Sequence, residues 1–170
     1  YNPTFDQIVI SSRFMDEFYI IDHSTTSEES SSHEGGMYGK GGDFLYRWGN
    51  PENYDRGTNL DQILFDQHGV DWIPEGYPGA GNLLLFNNNH WILSGGTQPQ
   101  SSVLEIQSIA DIDGSYSISE EEPFMPTTYH WIYQSDFYSG TQSGAFRLPN
   151  GNTIITSTAD TFLKLTIKVI

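Results

Sequence analysis

Three stretches of this chain repeat one grammar: a turn bearing Pro or Gly, an apolar strand, a polar turn and a second strand. They are YNPTFDQIVISSRFMDEFYIIDH, then WIPEGYPGAGNLLLFNNN resuming as SSVLEIQSI, and RLPNGNTIITSTADTFLKLT. Two units carry a further strand with Trp and Tyr at its centre, DFLYRWGN and TYHWIYQS, which makes a fourth strand. No window longer than a turn or two holds a 3.6-residue apolar period, so the architecture is all-β. Strands are expected at Gln7–Ser12, Glu17–His23, Phe44–Trp48, Gly69–Ile73, Asn82–Asn87, Ser102–Ser108, Tyr129–Gln134, Gly144–Leu148, Asn152–Ser157 and Phe162–Val169.

Four-stranded units in series are the signature of propeller blades. The prediction is therefore an all-β, β-propeller-type fragment of about three four-stranded antiparallel blades, one partial domain over 1–170. Its blade-like units fall at about 1–50, 62–135 and 136–170. The opening strand of the first unit is missing and the fourth of the last is absent or cut short. A closed ring takes ~4–8 blades, so two open sheet edges are expected. Self-association, completion by another chain, or a fold less propeller-like than the repeats imply would each answer them. The Ser/Gly-rich stretch 24–42 is too polar to pack and is expected to be a long inter-strand loop or a mobile flap.

With 170 residues, 36% of them hydrophobic, the chain can bury one modest core. Twenty-two acidic side chains against seven basic ones give a formal charge of −15, and most of the basic residues stand alone. That balance argues against nucleic acid and anionic membranes as partners. No run approaches the ~18 apolar residues of a membrane-spanning helix. The absence of cysteine excludes disulfides and thiolate metal sites. The first residues lack the charged leader of a signal peptide, so the chain is expected to begin inside a fold.

The segments DQIVISSRFMDEFYIIDHSTTSEE, GGDFLYRWGNPENY, FDQHGVDWIPEG with GNLLLFNNN, and SGAFRLPNGNTIIT together resemble the bacterial aryl-sulfate sulfotransferase family of β-propellers, in its C-terminal part. The resemblance touches nearly the whole chain. It implies a six-bladed propeller, extracellular or periplasmic, that moves a sulfuryl group between phenols through a covalent sulfohistidine without a nucleotide cofactor. Phenolic sulfates and phenols would be the substrates. His68, preceded by Gln67, looks like the family's nucleophilic histidine, and Arg13 matches an arginine that contacts the sulfuryl oxygens. The family's upstream His-x-Asn pair belongs to a strand before YNPTFDQ, so further blades are implied for catalysis. Gly69-Val70 after the histidine and Asn88 after Asn87 depart from the family pattern.

The residue chemistry agrees with those roles. Sulfuryl transfer asks for a neutral imidazole as nucleophile and a cationic fork for the oxygens. Against that stands a structural histidine bonded to backbone, or a family remnant. Trp72 and Asn87 are candidate substrate-binding residues, although most aromatic residues here are expected in the core between sheets. His23 is read as turn chemistry with Asp22, Ser24 and Thr25, His33 as solvated, and His90 and His130 as neighbours of aromatic clusters. Asp111 and Asp113 begin a weak calcium-loop pattern, with Ser115 at its fifth position and Glu122 at its twelfth; a solvated Asp-Gly turn is the simpler reading, and no metal site is assigned. A non-catalytic module that assembles through its open edges into rings or filaments is the competing reading, and an aromatic or carbohydrate binder the third.

Overall fold

The computed structural model describes residues 1–93, 95–107, 109–159 and 163–166. Ten strands form: β1 (Gln7–Ser12), β2 (Glu17–Asp22), β3 (Tyr46–Trp48), β4 (His68–Trp72), β5 (Leu83–Asn87), β6 (Ser102–Ile106), β7 (Trp131–Gln134), β8 (Gly144–Arg147), β9 (Thr153–Thr156) and β10 (Leu163–Thr166). Residues 108, 162 and 167–169 of the expected strands lie outside the described residues. The strands make three antiparallel meanders, ordered β1-β2-β3, β4-β5-β6-β7 and β8-β9-β10. Every hydrogen-bonded neighbour is thus the next strand along the chain, the connectivity that the repeated strand–turn–strand grammar specifies. A single helical turn, α1 (His90–Leu93), lies between β5 and β6.

The sheets stack with the four-stranded one in the middle, and this explains the LLLF run. Alternate residues of a strand face opposite sides, so Leu83 and Leu85 enter one core while Leu84 and Phe86 enter the other. β6 divides likewise, Leu104 and Ile106 against Val103. A strand buried on both faces reads as a continuous apolar run rather than an alternation. The first core adds Phe18, Ile20, Tyr46, Trp48 and Leu64; the second adds Phe137, Ala145 and Ile155. Each such side chain contributes about 1.5–3 kcal/mol by leaving water.

Between sheets, β1 packs against β4, and β8 packs against β5 and β4. β1 has a strand partner only in β2 among the described residues.

The polar stretch 24–42 is a hydrogen-bonded loop rather than a flap. Asp22 accepts from Ser24 N and Oγ (2.8 and 2.6 Å) and from Tyr38 N (3.2 Å). Glu29 accepts from Thr26 N (2.8 Å) and Gly36 N (3.2 Å), and the Tyr38 hydroxyl ties the loop to the Phe5 carbonyl at 2.7 Å. Short polar side chains here take over the backbone groups that a sheet would otherwise pair.

Candidate functional site

At one end of the stacked sheets, the starts of β4 and β8 meet the turn that follows β1. Gln67 sets the approach. Fully buried, it donates through Nε2 to Ser12 O (3.1 Å) and Glu17 O (2.7 Å) and so bolts the second sheet to the first. Asp66 before it sits in the left-handed region (φ 56°), as does Asp16 (φ 55°) in the facing turn. The Asp66 backbone N–H donates to Asp16 Oδ1 at 2.6 Å, and Gln62 Nε2 donates to Asp16 Oδ2 at 2.9 Å. Burial, and then the nearby Asp66 charge, hold the Asp16 carboxyl above its usual range against these hydrogen bonds.

His68 opens β4 and is half-buried. Its Nδ1 lies 2.8 Å from Asn88 Oδ1 and 3.0 Å from the Asp66 carbonyl oxygen. The Asn88 amide is oriented by its other end, which donates to Ser139 O (2.7 Å) and Gln142 O (3.0 Å); Asn88 itself is fully buried. Both neighbours of Nδ1 are therefore acceptors, so Nδ1 carries the hydrogen and the lone pair of the neutral ring sits on Nε2. Gly69 follows with φ 64° at a bulge between His68 and Asp71. A Cβ there would stand 3.3 Å from Gly144 Cα and Ser143 O, so the close passage of β4 over β8 requires glycine.

Arg13, in the one-turn 3-10 helix after β1, donates from Nε to Asp66 Oδ1 at 3.0 Å, with the two side chains 35% and 32% exposed. Its two terminal amino groups make no hydrogen bond among the described residues. Asn89 Nδ2 donates to the second Asp66 oxygen, and Asn89 Oδ1 accepts from Trp91 Nε1 (3.2 Å) and the Tyr138 hydroxyl (3.1 Å). Tyr138 also lines a cavity of about 490 Å³ with Gln98, Pro99, Gln100, Asp136 and Phe137. One residue, Asp66, thus touches the two groups singled out in the sequence: His68 by its carbonyl, Arg13 by its carboxylate. Left-handed Gln142 (φ 52°) and Ser143 (φ 80°) crowd the same end, the kind of backbone strain that functional sites accumulate.

Trp72 and Asn87 are not part of this arrangement. Trp72 ends β4, about 13 Å from His68 at ~3.3 Å per residue, and is buried in the first core. Asn87 is fully buried with its amide committed at both ends, accepting from Phe65 N (2.8 Å) and donating to Ile63 O (3.0 Å). It holds the loop that carries Gln67 and His68. The Asn87–Asn89 run therefore serves three different anchors, and only Asn88 and Asn89 meet the His68 network. Asp66, Asp16 and Ser139 were not singled out from the sequence; the run of three Asn at a strand end was a signal for Asp66 and Ser139, which bond Asn89 and Asn88, while nothing local marked Asp16.

The Asp111–Ser115 segment is a tight turn. The Asp113 carboxylate accepts from Ser115 N (3.0 Å) and Oγ (2.7 Å), and Ser117 Oγ donates to Asp111 at 3.2 Å. No group of three or more His, Cys, Asp or Glu that could hold a metal occurs among the described residues. The turn offers its Gly114 carbonyl to buried Gln7 at 2.8 Å and so closes over the start of β1. His23 pairs with Asp6 (2.7 Å) and His33 with Asp43 (2.8 Å), both exposed. His90 is buried, its Nδ1 has no hydrogen bond, and desolvation lowers its pKa.

The class that these observations define is an all-β protein of three stacked antiparallel sheets, with no helix long and apolar enough to cross a membrane among the described residues. No protein-family model, curated protein or solved structure matches the chain.

Proposed function

We propose that the His68 end is a sulfuryl-transfer site of the aryl-sulfate sulfotransferase type, working outside the cytoplasm. The observation that carries this reading is the pair of acceptors on His68 Nδ1, which puts the lone pair of the neutral ring on Nε2, together with Asp66, whose carbonyl meets that ring and whose carboxylate holds Arg13. In the first half-reaction Nε2 attacks the sulfur of an aryl sulfate, the N–S bond forms, and the S–O bond to the ring breaks. The bonding pair leaves with the phenolate. As the ring nitrogen acquires positive charge, the Asp66 carbonyl and Asn88 Oδ1 stabilise the Nδ1 hydrogen, and Arg13 faces the sulfuryl oxygens. An acceptor phenol then attacks sulfur, the new S–O bond forms as the N–S bond breaks and its electron pair returns to Nε2, and the acceptor's proton passes through water to the phenolate released in the first half-reaction. The reading assigns no cofactor, and it places additional blades around this end for full activity.

A second reading rests on β1, which among the described residues has β2 as its one strand partner and leaves Ile10 43% exposed. Such an edge favours self-association, with the protein as a non-catalytic assembly module. One preparation tests both. Phenol release from 4-nitrophenyl sulfate, and a sulfuryl adduct on the His68 peptide by mass spectrometry, are expected for the wild type and lost in His68→Ala. Open-ended filaments by light scattering and electron microscopy, with no adduct and no phenol, would replace the first reading by the second.

A further inference from the structure

Beyond β3, the loop 49–63 and the segment 123–129 enclose a cavity of about 310 Å³. Trp48, Tyr54, Phe124 and Tyr129 supply its rings, with Pro51 and Pro126 between them. Its walls are fixed from both sides. The Trp48 indole N–H donates to Pro126 O at 2.6 Å, the Tyr46 hydroxyl to Met125 O at 2.8 Å, and Phe124 N to the Tyr54 hydroxyl at 3.4 Å. On the opposite wall Ile63 N donates to Gly49 O at 2.8 Å. The outer segment is thus held off the sheet by ring heteroatoms, and the space between is preformed. Leu60, 87% exposed, stands at the lining as an apolar lip.

The charge around the cavity narrows the ligand. Its lining holds one ionisable side chain that carries charge at neutral pH, Asp61, and no Lys or Arg. Thr58 donates to the Asp61 carboxylate from N (2.8 Å) and Oγ1 (2.9 Å), which keeps that group anionic. Within a chain of net charge −15 the lining itself offers an anionic ligand no cation, and Arg47, 4.5 Å from the Tyr54 ring centroid, is already paired with Glu17 at 2.6 Å. The volume is at the lower end of the ~300–1,000 Å³ of small-molecule sites, room for one or two fused rings. The Tyr54 hydroxyl, an acceptor toward Phe124, retains its own proton for a ligand acceptor.

We propose that this cavity binds a small, uncharged, planar aromatic ligand, at a site separate from His68. Indole is the probe, since it is neither a sulfuryl donor nor a phenol. Titrating the full chain by calorimetry and ligand-observed NMR should give saturable binding with a Kd on the order of 0.1 mM, the range expected for so few ligand atoms. Indole-3-carboxylate should bind at least about tenfold more weakly for lack of a cation. Leu60→Asp and Thr128→Trp, both at exposed positions, should each weaken indole at least about tenfold while leaving the thermal melt unchanged. His68→Ala should retain it. Absence of saturable binding, insensitivity to both lining variants, equal affinity for the carboxylate, or loss in His68→Ala would each overturn the proposal.

Discussion

Arg13 and Arg147 both meet a carboxylate at hydrogen-bonding distance, but one pair stands partly open and the other is sealed. Arg147 Nη2 lies 2.7 Å from Glu105 Oε2 with both side chains fully buried. Asn82 donates to the other Glu105 oxygen at 2.7 Å, and the guanidinium sits 5.5 Å from the Trp131 ring centroid. It ties β8 to β6 across the second and third sheets. Arg13 and Asp66 have the same chemistry at 3.0 Å, with about a third of each side chain in solvent. Burial, rather than residue type, separates a structural tie from a group able to take a ligand. A sealed charge is valuable to the fold because losing its partner leaves the other ion stranded; an open charge is replaceable by water.

The largest effect expected from this contrast is at the sealed pair. Arg147→Met should cost about 3–5 kcal/mol in urea unfolding, and the double replacement Glu105→Leu with Arg147→Met should recover most of it. A single-variant cost below about 1 kcal/mol would break the comparison. Arg13→Gln should change stability by no more than about 1 kcal/mol, and ~1 M salt should shift the wild type by less than that. The same variant should lower phenol release about 10²–10³-fold, the effect of losing one donor to developing charge. The smallest effect concerns His90, next to the Asn88–Asn89 network. Burial lowers its pKa from the ordinary 6.5, so below that value the unfolded chain takes a proton that the folded chain resists. Stability is full above about pH 6.5 and falls with pH until the depressed folded value is passed, and His90→Gln should remove that slope from the unfolding midpoint against pH.

The strand positions were legible because strand periodicity and turn residues are local. QIVISS, LLLFN and TIIT lie between Asp, Gly, Asn and Ser punctuation, and each forms a strand where it was expected. The long polar loop was read correctly as a connection, but its order was not visible, since it depends on Asp22, Glu29 and Tyr38 reaching residues up to 33 positions away. Of the two candidate substrate residues, Trp72 lies at the other end of β4 from His68, carried there by the rise of the strand, and Asn87 has its amide turned by burial toward the 63–65 backbone.

By itself the sequence determined an all-β meander and the order of its strands along the chain. Those properties rest on side-chain alternation and turn stereochemistry, which act within a few residues. The tertiary structure alone decided that Asp66 lies between His68 and Arg13, which tautomer His68 adopts, and which arginine pair is sealed. Each of these joins residues 53, 20 or 42 positions apart; the pairing of β4 with β5 brings His68 to Asn88, and the stacking of the sheets brings the two arginines to their carboxylates.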